Sequence, residues 1–237
     1  MNFALKSVSL MALGIALTVP EMAMAGEAPA LAPVALVSGA AHAEYVGTVS
    51  RGFDMIRAGK PEKAVKLFDS VISASEQGLA GDARPRLCLS DNGGHAAPSN
   101  AIMVSSAVCD AHFGKGYALV DLGRGDLAEN ELRRATELAP DNAHYANEYA
   151  ELFKSRRQFQ KSYDLFAHAW AIVDKNTKGS DAGIAGRALR GMGFNLIELG
   201  RLGEAKQMFE QSLLYDPGNS GAKSELDFIA QRQAIGA

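Results

Sequence analysis

From Ser220 to Arg232, the apolar residues Ala222, Leu226 and Ile229 are set among Lys223, Glu225, Asp227 and Gln231. Steps of three and four residues predict a helix with one apolar stripe and a polar outer face. A longer pattern lies upstream. Asp121-Leu122-Gly123-Arg124, followed by Gly125, Ala128, Leu132, Ala135, Leu138, Pro140 and Asn142, is echoed by Glu198-Leu199-Gly200-Arg201, followed by Gly203, Ala205, Phe209, Ser212, Tyr215, Pro217 and Asn219. The same order of small, large and turn residues recurs 77 positions on. Self-similarity over such a distance predicts stacked supersecondary units, none of which buries its apolar face alone. Glycine-containing turns such as Ala58-Gly59-Lys60-Pro61 are expected between paired helices, with Pro61 in the first turn of the second.

The pattern resembles the tetratricopeptide repeat family. In that family a first helix carries Gly and a large residue, a second carries Ala, then Phe or Leu, then Ala, and Pro closes the unit. Gly116, Leu119, Ala128, Leu132, Ala135 and Pro140 match in one unit, and Gly193, Leu196, Ala205, Phe209 and Pro217 in another. A step of the family's repeat length from Ala128 reaches Ser162, with Ala150 and Phe153 before it and Phe166 and Ala169 after it. These define a degenerate unit. Gly52, Ala64, Phe68 and Val71 define a first. The resemblance implies an all-α protein: an α-solenoid of about four antiparallel helical hairpins, at about 45–76, 109–142, 143–174 and 186–219, with a capping helix at 220–232. Small residues where helices cross let the backbones approach, and a neighbour's large residue fills the space.

Composition adds a compartment. Lys6, the uncharged stretch Ser7 to Val19, Pro20 and the triplet Ala23-Met24-Ala25 follow the order of a secretory signal peptide cleaved after Ala25. About 13 apolar residues fall short of the roughly 20 that span a bilayer. Ala41-His42-Ala43 is a second, more distant candidate for cleavage. Residues 26–43, rich in Ala, Pro and Gly, read as a flexible leader. The expected location is outside the cytoplasm, in the periplasm of a Gram-negative cell. With a formal charge of −3 and scattered Lys and Arg, the chain lacks a nucleic-acid footprint.

Two cysteines, Cys88 and Cys109, flank an insertion at 77–106 that contains Asp91-Asn92-Gly93-Gly94. In an exported chain an even pair favours a disulfide. The alternative is zinc on Cys88, His95, Cys109 and His112, although only Cys109 and His112 have close metal-ligand spacing. On that reading the protein binds a ligand or metal through residues 78–106.

No phosphate loop, nucleophile elbow or Cys-x-x-Cys is present; Gly114-Lys115 lacks the upstream glycine of a P-loop. His144 and His168 stand alone on separate helices, and Glu148 and Glu151 read as solvated helix charge. No cofactor is implied, and a hydrolase lacks a nucleophile. The expectation is a non-catalytic interaction scaffold of the cell envelope. The resemblance implies that first helices line a concave groove that takes a peptide or protein, here with Val49, Phe53, Phe113, Tyr117, Asn147, Glu151, Arg187, Arg190 and Phe194. The basic clamp by which some members hold a chaperone tail is missing, since Val49 and Phe53 stand in its first positions.

Overall fold

The structure is a computed structural model and describes residues 34–35, 39–89, 98 and 100–235. The signal-peptide stretch 1–25 with Ala25, most of the leader, Asp91 to Gly94 and His95 lie outside the described residues.

Four helical hairpins follow one another: α1 (Gly39–Arg57) with α2 (Pro61–Gly78), α3 (Ser106–Asp121) with α4 (Gly125–Leu138), α5 (Ala143–Ser155) with α6 (Phe159–Ile172), and α7 (Ala182–Glu198) with α8 (Leu202–Ser212). A single helix, α9 (Ser220–Ile235), packs on α8 at the C-terminal end. Three-residue turns join the partners of each pair. Gly59, Gly123 and Gly200 sit in these turns with φ of 66°, 69° and 76°, a left-handed backbone that costs glycine least. In the third turn the corresponding residue is Arg157, at φ 59°.

Small residues at the crossings set the stacking. A Cβ on Gly52 of α1 or on Gly114 of α3 would lie 2.5 Å or 2.4 Å from the Phe68 ring, so α2 presses this ring between both first helices. Gly191 meets Phe166 and Gly193 meets Phe209 in the same way, at 2.5 Å and 2.7 Å. Phe68 and Phe166 are fully buried. The core is therefore a succession of local apolar clusters along the array, the arrangement expected when each unit packs only on its neighbours.

The insertion departs from the all-helical expectation. It holds two three-residue strands, β2 (Arg86–Cys88) and β3 (Ile102–Val104), and a third, β1 (Val34–Ala35), comes from the leader. β3 lies between the other two and pairs parallel with both. Ile102 and Val104 are buried, and Cys88 forms a disulfide with Cys109 on α3. The leader also gives way to helix earlier than expected, since α1 begins at Gly39. His42 anchors this start through a 2.7 Å bond between its Nδ1 and the hydroxyl of Ser105, the N-cap of α3. Among the described residues no helix is long and apolar enough to cross a membrane.

Candidate functional site

The first helix of each hairpin contributes to one continuous face, and its two ends differ. At the N-terminal end the face is aromatic and packed on itself. Phe53 lies 5.3 Å from Phe68 and 6.2 Å from Phe113, centroid to centroid. Phe113 in turn stacks on Tyr145 at 5.1 Å and meets His144 at 4.9 Å. The Tyr145 hydroxyl donates to Asp110 at 2.6 Å, and burial, reinforced by that carboxylate, pushes its phenol well above the usual range. Burial holds the His144 imidazole below its ordinary value, a shift opposed by Glu148 and helped by Arg187. Both rings are thus favoured in their neutral forms.

The C-terminal end is charged. Glu148, Glu151 and Lys154 occupy successive turns of α5, opposite Arg187, Arg190 and Phe194 on α7. Arg187 donates to Glu148 through Nη1, and its Nε is 3.7 Å from Glu151. Burial disfavours its charge, but the Glu148 and Glu151 contacts outweigh this and raise its pKa. Lys154 pairs with Glu151 and lies 5.3 Å from the centroid of the Phe194 ring. Phe194 borders two clefts. One, of about 360 Å³, runs between α5, α7 and the start of α9 and is lined by residues that include Glu151, Arg187, Arg190, Asn219 and Glu225. The other, of about 310 Å³, is lined by Lys154, Arg157, Phe159 and Glu198 among others.

Not all of the expected groove residues face outward. Val49, Phe113 and Asn147 are buried, with 6%, 7% and 0% exposure. Val49 and Phe113 belong to the first apolar cluster, and Asn147 Nδ2 donates to the Ile184 carbonyl at 3.0 Å, tying α5 to α7. Tyr117 is exposed; Phe53, Glu151, Arg187, Arg190 and Phe194 are half-buried. Glu148 and Glu151, expected to be free surface charge, are engaged by Arg187 and Lys154. The two Arg187 pairings join residues 39 and 36 apart in sequence, and no local pattern encodes them, whereas Glu151 and Lys154 are an i,i+3 pair on one helix.

Sequence reasoning missed a polar relay behind the face. Asn195 Nδ2 donates to the Ser162 hydroxyl and to the Gly191 carbonyl, both at 2.9 Å, and Ser162 donates to the Ala150 carbonyl at 2.9 Å. Its one visible sign was a serine at the position where other units have alanine. A second network joins α2, α3 and α4: Lys115 bridges Asp69 and Glu131, and Glu131 also bonds His112 at 2.7 Å. Cys88 and Cys109 are consumed by their disulfide, and among the described residues no cluster of His, Cys, Asp and Glu could hold a metal. Ala101, Ile102 and Val104 of the insertion are buried, whereas Leu89 is exposed.

Two segments, residues 110–142 and 191–219, match the tetratricopeptide repeat model. The fold agrees with solved structures of low sequence identity. A Pseudomonas aeruginosa PilF structure is 16% identical, with a TM-score of 0.57 over 83% of this chain and 70% of that one. MamA from Desulfovibrio magneticus RS-1, from residue 41 to its end, is 15% identical, with a TM-score of 0.57 over 84% and 88%. MamA of MSR-1 is 16% identical, with a TM-score of 0.51 over 81% and 87%. No protein of curated function matches the sequence significantly.

Proposed function

We propose that the chain is an exported, non-catalytic scaffold of the cell envelope that holds a segment of a partner protein against the C-terminal end of its concave face. The observation that carries this reading is the cleft bordered by α5, α7 and the start of α9, where a half-buried aromatic ring, Phe194, stands beside guanidinium groups. Aromatic and arginine side chains concentrate binding energy because they combine large contact area with directed hydrogen bonds. At the N-terminal end Phe53, Phe113 and Tyr145 pack on one another instead. Export is supported by the signal-like order of Lys6, the Ser7 to Val19 stretch and Ala23-Met24-Ala25, and by the Cys88–Cys109 disulfide, which suits an oxidising compartment.

The test is capture of a cross-linked partner from the native envelope by the purified chain. Arg190→Glu combined with Phe194→Ala is expected to abolish capture while the circular dichroism spectrum stays helical. Arg187 is left intact because it welds α7 to α5 through Glu148. Undiminished capture by the double variant rejects this face as the docking surface. Sequencing the N-terminus of envelope-derived protein checks export, with Gly26 as the expected first residue.

A further inference from the structure

Helix α9 is anchored along one side. Ala222 and Ile229 are fully buried against the array, whereas Phe228 is 40% and Ile235 81% exposed. Gly221, Phe228 and Ile235 follow one another at seven-residue steps, about two helical turns each, and so form one stripe along the outward side. The internal repeat of the sequence places that stripe. Asn219 caps α9 by accepting from the Ala222 amide, as Asn142 caps α5 by accepting from Tyr145. In this register Phe228 stands where α5 has Glu151, the residue that faces Arg187 on the next first helix. No further helix follows α9 among the described residues, and an apolar ring holds the position. A Cβ on Gly221 would meet only the Asn219 side chain, at 3.4 Å, so the space that rings fill at Gly191 and Gly193 is open here.

We infer that a second copy of this chain covers the stripe, its α9 laid antiparallel on the first about a two-fold axis at Phe228. Charge selects this occupant and this direction. Such an axis brings together residues equally far before and after Phe228. Ile235, seven residues after it, then faces Gly221, seven before it in the other copy, which repeats the small-against-large pairing of the array. Arg232, four after, comes beside Glu225, three before, offset by about 1.5 Å, the rise of one residue. At about 100° per residue both lie on the same flank of the stripe, so each copy offers its carboxylate to the other's guanidinium. Ser224 and Gln231 meet in the same way on the opposite flank. Within one chain neither charge has an ion-pair partner among the described residues, and the Arg232 guanidinium lies 5.6 Å from the centroid of its own Phe228 ring. A parallel pairing would set the charged flank against Ser224 and Gln231 and leave both charges unmatched.

Sedimentation equilibrium of the purified, oxidised protein tests this. One helix pair is a small interface, so the mass is expected to rise from that of one chain to that of two between about 1 and 100 µM. Phe228→Glu is expected to abolish the dimer while the helical signal is unchanged. Glu225→Arg and Arg232→Glu are each expected to weaken it about ten-fold, because each sets like charges opposite one another twice, and both changes in one chain are expected to restore it. The charge series carries the test should Phe228→Glu fail to fold. A single-chain mass at the highest of these concentrations, a dimer unchanged in folded Phe228→Glu protein, or a double reversal as weak as the single ones each overturns the inference.

Discussion

The two ends of the array, as seen on its first helices α1, α3, α5 and α7, are built from equivalent helices yet solve different problems. In α1 and α3 the corresponding turns carry half-buried Phe53 and the buried Phe113 and Val49, and the two rings pack on one another and, through Phe113, on the Tyr145 ring of α5. The equivalent stretches of α5 and α7 carry Glu148, Glu151, Lys154, Arg187 and Arg190. Charge cannot be packed away so cheaply, and that end stays open to water. The N-terminal end is further reinforced from behind by β1, β2, β3 and the Cys88–Cys109 disulfide, which has no counterpart in the last unit among the described residues. In a linear array each unit contacts only its neighbours, so one end can be rigidified and the other left available without conflict.

That contrast is broken most strongly by aromatic truncation. Phe113→Ala is expected to cost about 3–5 kcal/mol in chemical denaturation, because it empties a filled site. Phe194→Ala, which removes a ring that is only half-buried, is expected to cost less than half as much. Equal losses would mean that both ends are simply core. Reduction of the disulfide comes next. Closing a loop of 21 residues stabilises by on the order of 3 kcal/mol in the chain-entropy model. Reduction is expected to speed amide hydrogen exchange in β2, β3 and α3 while α7 and α8 keep their protection. Uniform loosening along the array would contradict the local character of the staple.

A pH experiment sharpens the comparison further. Burial alone would raise the Glu131 pKa, but its bonds to His112 and Lys115 outweigh that and hold it below the ordinary glutamate range. A carboxyl depressed in the folded state contributes stability that is fully present above its unfolded pKa and is lost as pH falls through the lower folded value. Glu131→Gln is therefore expected to cost about 1.5–3 kcal/mol at pH 7, the range for hydrogen bonds to a charged group. The gap to wild type should close as acidification protonates the native carboxyl. A gap that persists in acid would show that shape, not charge, holds this junction. The smallest effect is reserved for the outer face of the last unit. Removing Arg201, which pairs with Glu204 in the open, is expected to leave the denaturation midpoint indistinguishable from wild type, because solvent screens an exposed pair.

The helical array was legible in the sequence because its rule is local and repeated. Gly116 with Leu132 and Gly193 with Phe209 state the same small-against-large pairing twice, and the contacts are present at both crossings. The third unit was harder to read: serine replaces alanine at Ser162, and Arg157 adopts the left-handed turn geometry that glycine serves elsewhere. The strands were not legible, since two or three residues carry no usable periodicity and β1 pairs with a strand far along the chain. The start of α1 was read as leader because its Gly and Ala residues give no apolar stripe. Groove-facing positions were only partly legible. A repeat register locates a residue along a helix, but the rotation that buries Asn147 against Ile184 depends on how α5 and α7 cross.

The most direct test of the account is a positional photo-cross-linking scan in the native envelope. Benzophenone side chains are placed singly at Phe194 of α7, at Tyr117 of α3 and at Lys206 on the exposed surface of α8. The account predicts a discrete partner adduct from position 194, weaker or none from 117, and none from 206. A dominant adduct from position 206, or equal adducts from all three, would contradict it.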